Sequence, residues 1–176
     1  MGESAPGPVR VADTDDVPSI RDLERRAGEP FRSVGLDVVA EDEPPGVVEL
    51  TDAVTARRVL VVDDASGPAQ LAAWLWVGTA DGDLLIEQVS VDPAHRGRRL
   101  GAALVSLAVD HARHRGFPAV SLTSYTDVPW NGPWYRRLGF RPVAEDALGP
   151  ELAAVRAAER AAGLDVAPRS AYRRET

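Results

Sequence analysis

The chain has 176 residues, 44% of them hydrophobic and 27% charged, with 27 acidic against 20 basic side chains and a formal net charge of −7. That length suits one domain with a sizeable core, while the acidic balance disfavours nucleic-acid partners. No apolar run approaches the roughly 18 residues of a membrane span, and the absence of cysteine excludes disulfides, thiolate metal sites and thiol nucleophiles.

MGESAPGPVR lacks the basic stretch and apolar core of a secretory signal, so a cytoplasmic location is expected. Residues 1–8 are expected to be a flexible segment ahead of a single domain spanning 9–175. Val9 to Val11 predicts a first strand, and Pro18 opens a helical segment whose Ile20, Leu23 and Ala27 share one face before Gly28 stops it. Glu29 to Gly46 reads as irregular and acidic, and VVELTDAVTA as a short helix.

The period then changes. RVLVV (Arg58 to Val62) and QLAAWLWV (Gln70 to Val77) flank the turn DDASG and predict a hairpin. Asp81-Gly82 supplies the next turn, and LLIEQVSV (Leu84 to Val91) a third strand. Leu100, Leu104, Leu107, Ala108 and Ala112 follow helical spacing up to Gly116. Ala119 to Thr123 predicts a strand, and Asn131 with Pro133 the cap and first turn of a short helix ending at Gly139. A strand from Phe140 to Val143, a helix from Gly149-Pro150 to about Gly163 and a last strand SAYRRE complete the chain. This order describes an α/β (α+β) fold: a mixed, mostly antiparallel twisted sheet with helices on both faces.

HRGRRLG, from His95 to Gly101, joins a strand end to a helix start. Unpaired amides and the macrodipole make such a turn an anion site. Gly97 and Gly101 permit close backbone approach, and Arg96, Arg98 and Arg99 add charge, a combination suited to pyrophosphate. All 20 basic residues are arginine, so the lysine-dependent P-loop is ruled out, and the antiparallel strands upstream do not fit a dinucleotide fold.

VSVDPAHRGRRLGAAL resembles the acetyl-CoA motif of the GCN5-related N-acetyltransferases (GNAT), in which Arg or Gln precedes two variable residues, Gly, one variable residue and Gly or Ala. Arg99 stands where the family has its first glycine, a departure that a helical backbone at Arg99 would accommodate. LLIEQVSVDP and LTSYTDVPWNGPWYRRLGF resemble the family's fourth strand and its fifth strand with the following helix. The resemblance implies a GNAT-like fold and acetyl-CoA as co-substrate, with no metal. Val89 and Val91 would pair their backbone with the pantetheine arm. The amides of Arg96, Gly97, Arg98, Arg99, Leu100, Gly101 and Ala102 would hold the pyrophosphate. Asn131 falls near the cofactor and equally suits a helix cap; Tyr135, one turn later, matches the family's tyrosine and would protonate the leaving thiolate, or serve as packing beside Trp134.

Glu87 is the carboxylate of an otherwise apolar strand. Alternation puts it on one face with Val89 and Val91, where it would act as base toward an amine or pair with an arginine at the surface. The acidic runs at Asp13 to Asp16 and Glu41 to Glu43 would attract a cationic amine or simply face solvent. Trp74 and Trp76 share a strand face and would line an acceptor cleft, fill the core or join a homodimer; Trp130 and Trp134 are further cleft candidates. The expected function is transfer of acetyl from acetyl-CoA to a small amine or peptide amine. An acyl-CoA-binding regulatory or interaction protein is the alternative.

Overall fold

The computed structural model describes residues 7–64 and 70–176. Residues 1–6 of the expected flexible segment and 65–67 of the DDASG turn lie outside the described residues. Among those described, strands β1 (Val9–Val11), β2 (Val59–Asp63), β3 (Leu71–Ala80), β4 (Asp83–Val91), β5 (Ala119–Tyr125), β6 (Arg141–Val143) and β7 (Arg169–Glu175) form one sheet. Its order is β1-β2-β3-β4-β5-β7-β6. Every neighbouring pair is antiparallel except β4 with β5, which run parallel.

The helices are α1 (Val17–Gly28), α2 (Asp37–Ala40), α3 (Val47–Thr55), α4 (Leu100–Arg115), α5 (Gly132–Arg137) and α6 (Pro150–Ala161). They cover both faces, as the alternation and helical spacing require. Leu104, Val105 and Ala108 of α4 and Tyr135 of α5 pack with Leu84, Ile86 and Leu122 on one face. On the other, Ile20 and Leu23 of α1 and Leu50 and Val54 of α3 enclose Val59, Val61 and Trp74. Leu152 of α6 closes the same face farther along, over Ala80, Leu85 and Ala171.

Local chemistry sets the joints. Asp81 and Gly82 both take positive φ, 51° and 81°, which turns β3 tightly into β4. The Asp81 carboxylate then accepts the amides of Glu151 and Leu152 at 3.0 and 2.9 Å, capping α6. A Cβ on Gly149 would stand 2.3 Å from the Asp81 Cγ, so only glycine allows this dock. The segment expected to be irregular from Glu29 carries a 3-10 turn (Glu29–Val34), ended by left-handed Gly35, and then α2. Pro30 opens that turn, where a missing N–H costs nothing.

Candidate active site

Two departures from regular sheet structure create the site. β4 and β5 pair only at Leu84 with Val120 and Leu85 with Ser121, although β4 runs on to Val91 and β5 to Tyr125. Beyond those pairs the parallel strands part, and the backbone of β4 on that side has no strand partner. The second departure is a bulge: Trp76 pairs with Gln88 and Val77 with Ile86, leaving Glu87 as the extra residue.

The bulge corrects the alternation expected for this strand. Val89 and Val91 pack on the α4 face with Leu84 and Ile86. Glu87 instead lies across β3 on the opposite face, its Oε1 2.3 Å from where a Gly78 Cβ would be. One inserted residue changes which face each later side chain takes. Burial pushes the Glu87 carboxyl above its ordinary range, opposed by the charge of Arg58 and reinforced by that of Glu49.

The turn before α4 keeps its amides open. Those of Gly97, Arg99, Leu100, Gly101 and Ala102 donate to no backbone carbonyl among the described residues. Arg99 is not helical, as its tolerance was expected to require; it is left-handed, with φ 60° and ψ 18°. Its exposed side chain is the cost-bearing substitute for a glycine there. Gly97, at φ 81°, has nothing within 4 Å of its missing Cβ, whereas a Cβ on Gly101 would meet Trp134 and Val91 at 3.3 and 3.4 Å. Gly101 therefore seats α4 against its neighbours, and Gly97 keeps the turn open. Buried His95 anchors the turn from beneath, with its Nε2 2.9 Å from Asp64 Oδ2. The Arg96 guanidinium stacks 5.2 Å from the Trp130 ring.

A single cavity of about 850 Å3 joins these parts. It is lined by Glu87, Val89, Val91, Arg96, Gly97, Arg99, Leu100, Gly101, Ala102, Asn131 and Tyr135. Of the residues expected to act in catalysis or cofactor binding, only Arg98 is missing from the lining; of the acidic runs, Asp42 and Glu43 reach it and Asp13 to Asp16 do not. Because β4 and β5 separate, the cavity is bounded by residues from both faces of the sheet. Trp134 and Tyr135 line it from the α4 face, and Glu24, Trp76 and Glu159 from the other.

Asn131 gives no side-chain cap to α5. Its Nδ2 donates to Ser124 Oγ at 2.9 Å, and its buried Oδ1 has no partner among the described residues. That orphan acceptor beside the split strands suits an amide N–H, such as those of a pantetheine arm. Tyr135 is both packing and lining: it lies 4.8 Å from the Trp134 ring and 5.8 Å from Phe140. Burial pushes its phenol far above the ordinary value, slightly opposed by Arg169, so the group holds its proton at neutral pH.

The tryptophans divide by depth. Trp74 is fully buried in the core, while Trp76, Trp130 and Trp134 reach the cavity. Sequence reasoning passed over Glu24, Phe31, His95, Ser124 and the pair Glu159–Arg169, all at the lining. Glu24 had a signal: it follows Ile20 by four residues, on the inward stripe of α1. Phe31 meets Trp130 edge-on at 5.6 Å and Tyr125 at a tilt at 5.9 Å, making an aromatic wall from the segment after α1 and the one that leaves β5. Charge is unequally spread: Arg96 and Arg99 stand at the turn, whereas Glu24, Asp42, Glu43, Glu49, Glu87 and Glu159 stand along α1, the α2–α3 connection, α3, β4 and α6, with Arg169 paired to Glu159 among them.

Residues 18–140 match the model of the acetyltransferase (GNAT) family. The chain belongs to the GNAT family. A mycothiol acetyltransferase from Beutenbergia cavernae is 37% identical to this GNAT chain over 89 residues, 50% of the chain and 29% of that relative's length. The PaiA N-acetyltransferase of Thermoplasma acidophilum, solved in complex with coenzyme A, superposes with a TM-score of 0.69 at 9% identity, covering 96% of this chain and 98% of that one. Rv2747 from Mycobacterium tuberculosis, solved with CoA, gives 0.68 at 20% identity, covering 96% and 99%. These likenesses establish the GNAT fold. Among the described residues of this GNAT chain, no group of three or more His, Asp or Glu side chains is placed to hold a metal ion.

Proposed function

We propose that this chain moves an acetyl group from acetyl-CoA directly to a primary amine of a small molecule or peptide. The observation that carries the reading is the one cavity that runs from open amides and arginines, past the split strands, to carboxylates and aromatic rings. The likeness to a mycothiol acetyltransferase supports acetyl as the group transferred.

Acetyl-CoA supplies a thioester carbonyl and a thiolate leaving group. The open amides of Gly97, Arg99, Leu100, Gly101 and Ala102, with the Arg96 and Arg99 side chains, bind its pyrophosphate, while the Arg96 and Arg98 amides donate within the turn itself. The free side of β4 at Val89 and Val91 hydrogen-bonds the peptide-like arm. Asn131 Oδ1 accepts one of that arm's amide protons. Glu87, raised by burial, takes the proton of the incoming ammonium so that its lone pair can attack the carbonyl carbon. As the new C–N bond forms and the C–S bond breaks, Tyr135 gives its proton to the departing sulfur, and the second proton lost by the nitrogen passes through solvent to restore the Tyr135 phenol. The products are an N-acetyl amide and the CoA thiol. No cysteine is needed, since no covalent enzyme intermediate forms.

Calorimetric titration with acetyl-CoA, using ATP and NADH as controls, tests the binding half. Saturable binding of acetyl-CoA alone is expected, and thiol release against a panel of amines tests the transfer. Binding without release by any amine would favour an acyl-CoA-binding protein, and no binding would remove the reading altogether.

A further inference from the structure

We propose that Glu24 is a positioning residue: through Gln88 it holds the β4 bulge that turns Glu87 toward the acceptor end of the cavity. The inference rests on Glu87 acting as the base. Glu24 Oε1 accepts from Gln88 Nε2 at 2.7 Å, and its Oε2 from Trp74 Nε1 at 2.9 Å. The same Gln88 amide lies 3.1 Å from Ser90 Oγ. Gln88 directly follows the bulge residue and pairs across the sheet with Trp76, the register position where the shift occurs.

A second tie lies one helical step away. Arg26 Nε donates to Asp92 Oδ2 at 2.6 Å, and Asp92 in turn accepts the Ala94 amide of the anion-binding turn. Helix α1 thus grips β4 at Gln88 and just beyond it at Asp92, bracketing Val89 and Val91. Gly78 completes the seat, because its missing Cβ is the space into which Glu87 folds.

Packing alone does not account for Glu24. Arginines pair with Asp16, Asp63, Asp83, Asp92, Glu145, Glu159 and Asp165, yet none lies within 4 Å of Glu24 or Glu87 among the described residues. A carboxyl held under a helix by neutral donors is a costly tie where an apolar contact would pack as well. Burial accordingly pushes the Glu24 carboxyl up, against the pull of its hydrogen bonds. What the tie supplies is direction: one carboxylate oxygen is anchored on Trp74 of β3 while the other fixes Gln88 and so the strand on either side of it.

The test combines kinetics on an amine from the panel with amide hydrogen exchange. Glu24→Ala and Gln88→Ala are each expected to lower kcat about tenfold through misplacement of Glu87, with KM for acetyl-CoA within about twofold. The double variant should be no slower than the worse single one, and in a Glu87→Gln background Glu24→Ala should cost less than about twofold. Glu24→Gln, which keeps one acceptor oxygen, should recover part of the rate. Exchange at residues 86–89 should quicken about tenfold in Glu24→Ala while that of α4 stays unchanged. An equal loss in the Glu87→Gln background, or unaltered exchange at 86–89, overturns the proposal. A Glu87→Gln enzyme as fast as wild type overturns the base assignment instead, and leaves the exchange rates to decide the clamp.

Discussion

Arg99 is where residue chemistry and backbone geometry disagree most. Its φ of 60° is one that glycine adopts freely and a residue carrying a Cβ adopts only at a cost. Relief of about 1–2 kcal/mol of strain, less about 0.4–1 kcal/mol of added unfolded-state entropy, predicts that Arg99→Gly stabilises the protein by about 0.5–1 kcal/mol. Urea unfolding midpoints measure this. Because the amide survives the substitution, calorimetric affinity for acetyl-CoA should fall no further than the loss of one exposed cation allows. Glu87 carries a prediction in pH. Its folded carboxyl binds protons more tightly than the ordinary value of 4.5, so its contribution to stability is complete below that value and is lost as pH rises through the folded one. Glu87→Gln should therefore be more stable than wild type at pH 7 and no different near pH 4, as followed by urea unfolding. In the pH profile of kcat/KM, the limb that rises as Glu87 loses its proton should disappear.

Elements act here through where they stop touching. β4 and β5 are a parallel pair for two residue positions each, and their parting exposes the backbone that a pantetheine arm needs. Helix α4 begins at that parting, with Gly101 against Trp134 and Val91. Two branched methyls at Gly101 have no room at 3.3 Å, so Gly101→Val must tilt the helix start and its open amides. Acetyl-CoA affinity should fall at least about tenfold, or 1.4 kcal/mol, with a lower melting temperature; unchanged affinity by calorimetry would separate the α4 amides from cofactor binding. Farther along the helix, Leu104 is fully buried and holds α4 on the sheet. Leu104→Ala should cost about 2–5 kcal/mol in chemical unfolding, a loss of anchoring and not of chemistry.

At the scale of the molecule, a chain of net charge −7 gathers Arg96 and Arg99 at one turn, and carboxylates outnumber the one other arginine, Arg169, along the rest of the cavity lining. That polarity suits the proposed pair of substrates, an anionic phosphate-bearing donor at the turn and a cationic amine at the carboxylates. Affinity for acetyl-CoA should fall as sodium chloride rises from 50 to 500 mM, across which the Debye length drops from about 14 to about 4 Å. Arg96→Ala should flatten that dependence; an affinity indifferent to salt in the wild type would show that the amides alone do the binding. Much of this layout was legible beforehand. Apolar alternation and helical spacing marked the strands and helices, and the HRGRRLG turn marked the anion site, because both signals are local. The wall of Phe31, Tyr125 and Trp130 was legible only in part: Trp130 stood out as a cleft aromatic, but Phe31 comes from a far earlier segment and meets Tyr125 and Trp130 only when the sheet is assembled.

Residue type and near-neighbour spacing were enough for the family, for the strands and longer helices in their order, and for the turn that opens α4; the 3-10 turn and α2 between Glu29 and Gly46 were not legible in that way. Tertiary structure decided the face of Glu87. Strand alternation places it with Val89 and Val91, but the bulge opposite Trp76 and Val77 adds one residue and sends it across Gly78 to the other side. A bulge is a property of two strands in register, and the partner that imposes the register lies on another segment of chain. The same holds for Asn131, whose cap-like position conceals a bond to Ser124, and for Glu24, whose place on a helical stripe acquires its meaning from Gln88 and Trp74. Spacing along the chain identifies which groups are available; the packing of segments against one another decides which of them meet.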